Sequence, residues 1–184
     1  MIKPPKLYLK RKDIPIESLY DMRDEDGKLS KAGTYNKKDG KAYNSDTRST
    51  TIKKVRTQDY PEVNHILLNM VNIWDSTLDP NDYYVGEYNY LKYGAGDHFI
   101  KHRDHINGPK KIGSGRIYST TTIIKKSDDL VGGDFVIWDD VEYRNIVELT
   151  VGETIFFSSF RNHEVRKVMK GEREVLVAWI YKKS

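Results

Sequence analysis

From Asp59 to Leu78 the sequence DYPEVNHILLNMVNIWDSTL places Val63, Ile66, Leu67, Met70, Val71 and Trp74 at steps of three, one, three, one and three. This spacing keeps them on one side of a 3.6-residue period, so it predicts one long amphipathic helix, with 57–78 as its supporting segment. Pro61 suits the first helical turn and Asp59 is the expected N-cap. Beyond the turn DPND at 79–82 the pattern changes to short β-branched and aromatic runs punctuated by Gly, Asn and Asp. These runs are YYVGEYNYLKY, HFIKHRDH, RIYSTTTIIKK, GDFVIWDD, YRNIVELTVG, ETIFFSS, HEVRKVM and EVLVAWIYKK. They predict a mainly β core over 83–184, a sandwich, barrel or jelly roll, with the helix packed outside it. Residues 21–50 are rich in Gly, Lys, Asp and Ser, so an irregular N-terminal segment over 1–56 is expected.

Composition narrows the class. A chain of 184 residues suits a single domain with one core. The 31 basic and 27 acidic residues leave +4, an ordinary surface balance that permits a nucleic-acid partner without favouring one. With no cysteine there is no disulfide, thiolate zinc or iron–sulfur cluster, so a metal must be held by His, Asp and Glu. No leader-like apolar run of about 7 residues opens the chain and no stretch approaches the roughly 18 of a membrane span; the expectation is a cytoplasmic protein without membrane contact.

The chemistry-bearing residues concentrate in GDHFIKHRDH, 96–105. Read as a strand, it turns His98, Ile100, His102 and Asp104 to one face and Phe99, Lys101, Arg103 and His105 to the other. His102 and Asp104 can then hold one side of a divalent metal, with a third ligand from His65 on the helix or His163 in SSFRNHEV. Two histidines and a carboxylate form the ligand set of non-haem Fe(II) oxygenases, and a zinc hydrolase can use the same set. Arg173 follows a turn at Gly171, where it is either a solvated strand end or a bidentate anchor for a carboxylate. Gly94 and Gly96 lack the third glycine of a dinucleotide loop, and GPKKIGSG at 108–115 has Ser114 where a phosphate loop needs lysine.

Together these blocks carry a family resemblance. Tyr93, Gly96, Phe99, His102 and Asp104 resemble the YxxGxxFxxHxD signature of the prolyl 4-hydroxylase-like group of 2-oxoglutarate and Fe(II)-dependent dioxygenases. Arg116 with STTTII, Gly132 and Gly133 in GGDFVIW, and Gly152 opening GETIFF are similar to that group's core strands. HEVRKVMKGEREVLVAW resembles its HxVxxVxxGxRxxxxxW ending, and Asp46 and Arg48 in SDTRSTT resemble a segment near its start. The resemblance implies a double-stranded β-helix, a cupin-like jelly roll. It implies that His102, Asp104 and His163 bind Fe(II), that Arg173 pairs with the distal carboxylate of 2-oxoglutarate and that Tyr93 lies against this cosubstrate. Thr121, with Ser119 next, is the expected hydroxyl neighbour, while Ile123 stands where some relatives have tyrosine. The implied activity is O2-dependent hydroxylation of an unactivated C–H bond with release of succinate and CO2, stimulated by ascorbate. Its first expected substrate is a prolyl residue of a protein or peptide, over which residues 21–50 and the loop 105–115 are expected to close. The alternatives are a free amino acid or other small molecule, or a non-catalytic jelly-roll binding module. His98 is expected to flank the pocket, His105 to point away and Asp97 to make a turn.

Overall fold

The computed structural model describes residues 6–32, 45–105 and 115–183, together with the backbone of 34–36 and 40–42. The loop expected to cover the site therefore lies largely outside the described residues, as does part of 21–50. Along the chain, β1 (Leu9–Arg11) and α1 (Ile16–Asp24) precede β2 (Ser30–Lys31), β3 (Thr34–Asn36), β4 (Gly40–Ala42), β5 (Arg48–Ser49) and β6 (Thr51–Val55). A 3-10 turn, Thr57–Asp59, leads into α2 (Pro61–Trp74). The strand-rich part follows: β7 (Tyr83–Tyr93), β8 (His98–His102), β9 (Arg116–Lys126), β10 (Val131–Gly132), β11 (Phe135–Trp138), β12 (Arg144–Val147), β13 (Thr154–Ser158), β14 (His163–Val165), β15 (Val168–Lys170) and β16 (Arg173–Lys182).

A large sheet in the order β1-β13-β9-β16-β7-β6-β2 faces a smaller one in the order β12-β11-β14-β8-β5. From β7 onward the chain passes repeatedly between the two, with β7, β9, β13 and β16 in the large sheet and β8, β11, β12 and β14 in the smaller one, in the manner of a jelly roll. Alternation along the central strands explains why they are apolar on both sides. Tyr88, Tyr90, Ile124, Leu176, Ala178 and Ile180 face outward and pack with Val63, Leu67, Met70 and Val71 of α2 and Leu19 and Met22 of α1. Leu91, Tyr93, Ile123 and Val175 face inward, where Phe135, Ile137, Val147 and Val165 of the smaller sheet meet them. The interior between the sheets is thus apolar, and a polar group placed there meets little water.

Among the described residues the outer layer holds two α-helices rather than the one expected. α1 was hidden in a charged region because its nine residues bury only Leu19 and Met22; a helix this short depends on tertiary burial instead of a long periodic stripe. The irregular N-terminal segment likewise contributes β1, which pairs with β13, and β6, which pairs with β7. Asp59 does not cap α2: its carboxylate accepts from Arg56 Nε at 2.8 Å, and Tyr60 occupies the cap position without a side-chain bond. HEVRKVM divides into β14 and β15, the latter pairing with β10. No helix among the described residues is long and apolar enough to cross a membrane.

Because α2 is held by burial, Leu67→Ala should cost about 2–5 kcal/mol of unfolding free energy in urea denaturation. The same truncation at Ile73, 41% exposed, should cost within about 0.5 kcal/mol. Equal costs at both sites would contradict this packing.

Candidate metal centre

Three of the residues singled out in the sequence meet at one end of the smaller sheet. β14 begins at His163 and β8 ends at His102, and these two residues are register partners. Asp104 follows two residues later, on a bend beyond the strand, and is buried. Ligand atoms of His102, Asp104 and His163 all lie within 4.8 Å of one another. His102 Nε2 is 3.5 Å from Asp104 Oδ1, and His163 Nε2 is 3.4 Å from Asp104 Oδ2. Atoms sharing one ion at about 2.1 Å in adjacent positions stand about 3 Å apart, so a small contraction closes this set on a metal. His65 is exposed on α2, which leaves His163 as the third member.

Strict alternation along 98–105 does not survive. Val165 pairs with Phe99 while His163 pairs with His102, so β8 carries one extra residue in this interval. Such a bulge resets the facing of side chains. Phe99 and His102 consequently share a side and stack with ring centroids 3.5 Å apart, and Asp104 joins them through the bend instead of through strand geometry. His98 is turned aside, its ring nitrogens near the carbonyls of Gly96 and Asp46. His105 sits 2.8 Å from the Arg116 carbonyl and stacks on Phe160. Asp97 accepts from the Gly94 amide and from Ser49 Oγ.

Each imidazole is aimed by its own backbone. Nδ1 of His102 donates to the Ile100 carbonyl at 2.8 Å, and Nδ1 of His163 donates to the Arg161 carbonyl at 3.1 Å. Both bonds fix the tautomer that leaves Nε2 free to accept a metal. Asp104 is set by Ser119 of β9, whose hydroxyl donates to Oδ2 at 2.7 Å and lies 2.8 Å from Ser159 Oγ. Burial alone would raise the Asp104 carboxyl, but His163, His102 and the Ser119 hydroxyl together hold it well below the ordinary carboxylate range. Burial, reinforced by the neighbouring His102, pulls His163 down to about 4. At neutral pH the centre therefore presents a carboxylate and a neutral imidazole at His163, the protonation states a divalent cation requires.

Deeper between the sheets, Arg173 opens β16 opposite Tyr93 of β7, with its guanidinium carbon 5.8 Å from the Tyr93 ring centre. Arg173 is 3% exposed. Nη1 donates to the Gly133 carbonyl, whereas Nε and Nη2 have no acceptor. Gly133 has φ of 72°, and a Cβ there would lie 3.0 Å from Val168 and 3.3 Å from Arg173, so glycine permits this close approach. Burial lowers the Arg173 pKa against the opposing pull of Tyr93 and Asp134, and burial raises that of Tyr93 against the pull of Arg48 and Arg173. A cation buried with two unsatisfied N–H groups is costly unless an anion docks there. Thr121 is buried two residues along β9 from Ser119, and Ile123 belongs to the apolar core. Reasoning from sequence overlooked Ser159 and the Gly133 carbonyl and ranked Ser119 behind Thr121; nothing in STTTII marks which hydroxyl faces the carboxylate.

Residues 88–181, just over half of the chain, match the family model of the 2OG-Fe(II) oxygenase superfamily, and the chain belongs to that superfamily. A PKHD-type hydroxylase of Prochlorococcus marinus strain AS9601 is 37% identical over 76 residues, 41% of this chain and 34% of the relative. The chain thus matches about a third of the length of this curated relative. Among solved structures, a Pseudomonas putida prolyl-4-hydroxylase superposes with a TM-score of 0.68 at 15% identity, covering 97% of this chain and 94% of that one. A Trichoplax adhaerens prolyl hydroxylase in complex with a hypoxia-inducible-factor peptide fragment gives 0.63 at 14% identity, covering 96% and 84%. At these identities the likeness establishes the fold.

Ser119→Ala removes the bond that orients Asp104, so it should weaken Fe(II) affinity about 10- to 100-fold in a competition titration with a chelator; unchanged affinity would mean the hydroxyl is only structural. The metal-free protein should also lose stability on acidification. His163 takes up a proton in the unfolded chain near 6.5 but in the folded chain only near 4. The unfolded state therefore binds more protons as pH falls through this window, and folding weakens. Thermal unfolding of the chelated protein at pH 7 and at pH 4.5 checks the sign, and His163→Asn should flatten the difference.

Proposed function

We propose that this protein is a Fe(II)- and 2-oxoglutarate-dependent dioxygenase that hydroxylates an unactivated C–H bond, with a prolyl residue of a protein or peptide as substrate. The observation that carries this reading is the pairing of a two-histidine, one-carboxylate cluster with a buried arginine whose Nε and Nη2 lack acceptors. A metal alone accounts for the cluster and leaves Arg173 unexplained. A dicarboxylic acid that chelates the metal at one end accounts for both, since its far carboxylate satisfies the guanidinium.

His102, Asp104 and His163 would hold Fe(II) on one face, leaving the remaining positions to the 2-oxoacid and O2. When bound, the iron supplies the redox chemistry by which O2 and 2-oxoglutarate give succinate and CO2 while one oxygen atom enters the substrate C–H bond. The residues of the chain orient, neutralise and exclude water. Arg173, kept dry by Tyr93, Val175 and the inter-sheet core, would pair with the distal carboxylate, where low polarity strengthens the ion pair. Tyr93, protonated in its buried position, would offer a hydroxyl to the same group. Thr121 would line the cosubstrate on the β9 side. Ascorbate would serve to keep iron reduced. A peptide substrate is supported by the prolyl hydroxylases that share the fold, one of them solved with a peptide, and the hydroxylase class by the curated relative.

The test is direct. Under anaerobic conditions, protein with Fe(II) and 2-oxoglutarate should develop a weak visible charge-transfer band. Asp104→Ala should abolish it, and Arg173→Gln should raise the 2-oxoglutarate Kd at least 30-fold, in line with the roughly 2–5 kcal/mol lost when one partner of a buried charge pair is removed. With O2 and proline-containing peptides, succinate and a +16 Da product should appear together. Absence of the band and of succinate would overturn the oxygenase reading; succinate with products only from free amino acids would move the substrate to a small molecule.

A further inference from the structure

Among the described residues, two N–H donors besides those of Arg173 lack acceptors on the inward face of the large sheet: Nδ2 of Asn89 and Nε1 of Trp179. Asn89 is 2% exposed. Its neighbours two residues away on either side along β7 are Leu91 and Glu87, and alternation places it on the inward face with Leu91 and Tyr93. A buried amide hydrogen without a partner costs about 1–3 kcal/mol, and a leucine would fill similar space without that cost. An acceptor that arrives with a ligand removes the penalty.

Strand register locates that acceptor. Across the inward face the side chains form successive rows: Ser119, Trp179 and Glu87; then Thr121, Val177 and Asn89; then Ile123, Val175 and Leu91; then Arg173 and Tyr93. Ser119 holds Asp104, so the first row is the metal end, and the last is the carboxylate-anchoring end. Asn89 stands one row from the metal end and two from the anchor, with Val177 between it and Thr121.

We propose that Asn89 is a positioning residue that donates through Nδ2 to an oxygen of the metal-chelating end of the 2-oxoacid, an inference that rests on the function proposed above. Arg173 then selects the length of the acid, and Asn89 sets the tilt of its 1-carboxylate and 2-oxo group. A neutral amide does this without placing a second positive charge beside the cation.

The experiment uses anaerobic Fe(II)-loaded protein titrated with 2-oxoglutarate and, separately, with pyruvate, which keeps the chelating end and lacks the distal carboxylate. Asn89→Leu should weaken both acids by a similar factor of about ten, the worth of one hydrogen bond, whereas Arg173→Gln should weaken 2-oxoglutarate only. Asn89→Ala serves as a second variant, and the unfolding temperature of each metal-free variant reports that the fold is kept. Unchanged affinity for both acids, or a loss confined to 2-oxoglutarate, overturns the assignment of Asn89 to the chelating end. A band in the unsubstituted protein whose 2-oxoacid affinities Asn89→Leu leaves unchanged sinks this inference alone; no band at all sinks the oxygenase reading with it.

Discussion

A single carboxylate joins the two sheets of this protein. Asp104 belongs to the smaller sheet's side of the interior, yet its orientation comes from Ser119 on the large sheet, and the two imidazoles flank it from β8 and β14. A bare carboxylate in so dry a place would be strongly disfavoured. Here histidines and a hydroxyl hold it ionised, which makes it a standing negative charge in the interior between the sheets. The site proposed above follows from that sign, with a cation beside Asp104 and an anion beside Arg173.

Much of the β core could be read from the chain because strands covered on both sides are long, apolar and β-branched. β7, β9 and β16 show this directly, and the α2 stripe is equally plain because one face meets the sheet while the other meets water. α1 escaped notice because two buried residues in nine make no period. The bulge in β8 escaped for a different reason. Period-two reading assigns each residue a face by counting, and an inserted residue shifts the count without leaving a mark in composition; only the pairing of β8 with β14 reveals it. The period-two pattern thus pairs His102 with Asp104 by a local geometry that is wrong for Phe99 and incomplete for Asp104, and it is the family resemblance that adds His163.

Residues that serve the site through backbone or through ordinary hydroxyls were the least legible. Gly133 matters for its carbonyl and for its left-handed backbone, Ser119 for which of four adjacent hydroxyls reaches Asp104, and Asn89 for lacking a partner. None of these properties is a property of residue type. They arise from register across neighbouring strands, which the hydrogen-bonded order of the large sheet supplies.

Each histidine is aimed by the carbonyl two residues before it, Ile100 for His102 and Arg161 for His163. The aiming device is thus carried within three consecutive residues and recurs on two strands of unrelated sequence. Because the carbonyl that aims each imidazole belongs to the backbone, the residue types around the centre can change while the tautomer and aim of both rings are kept.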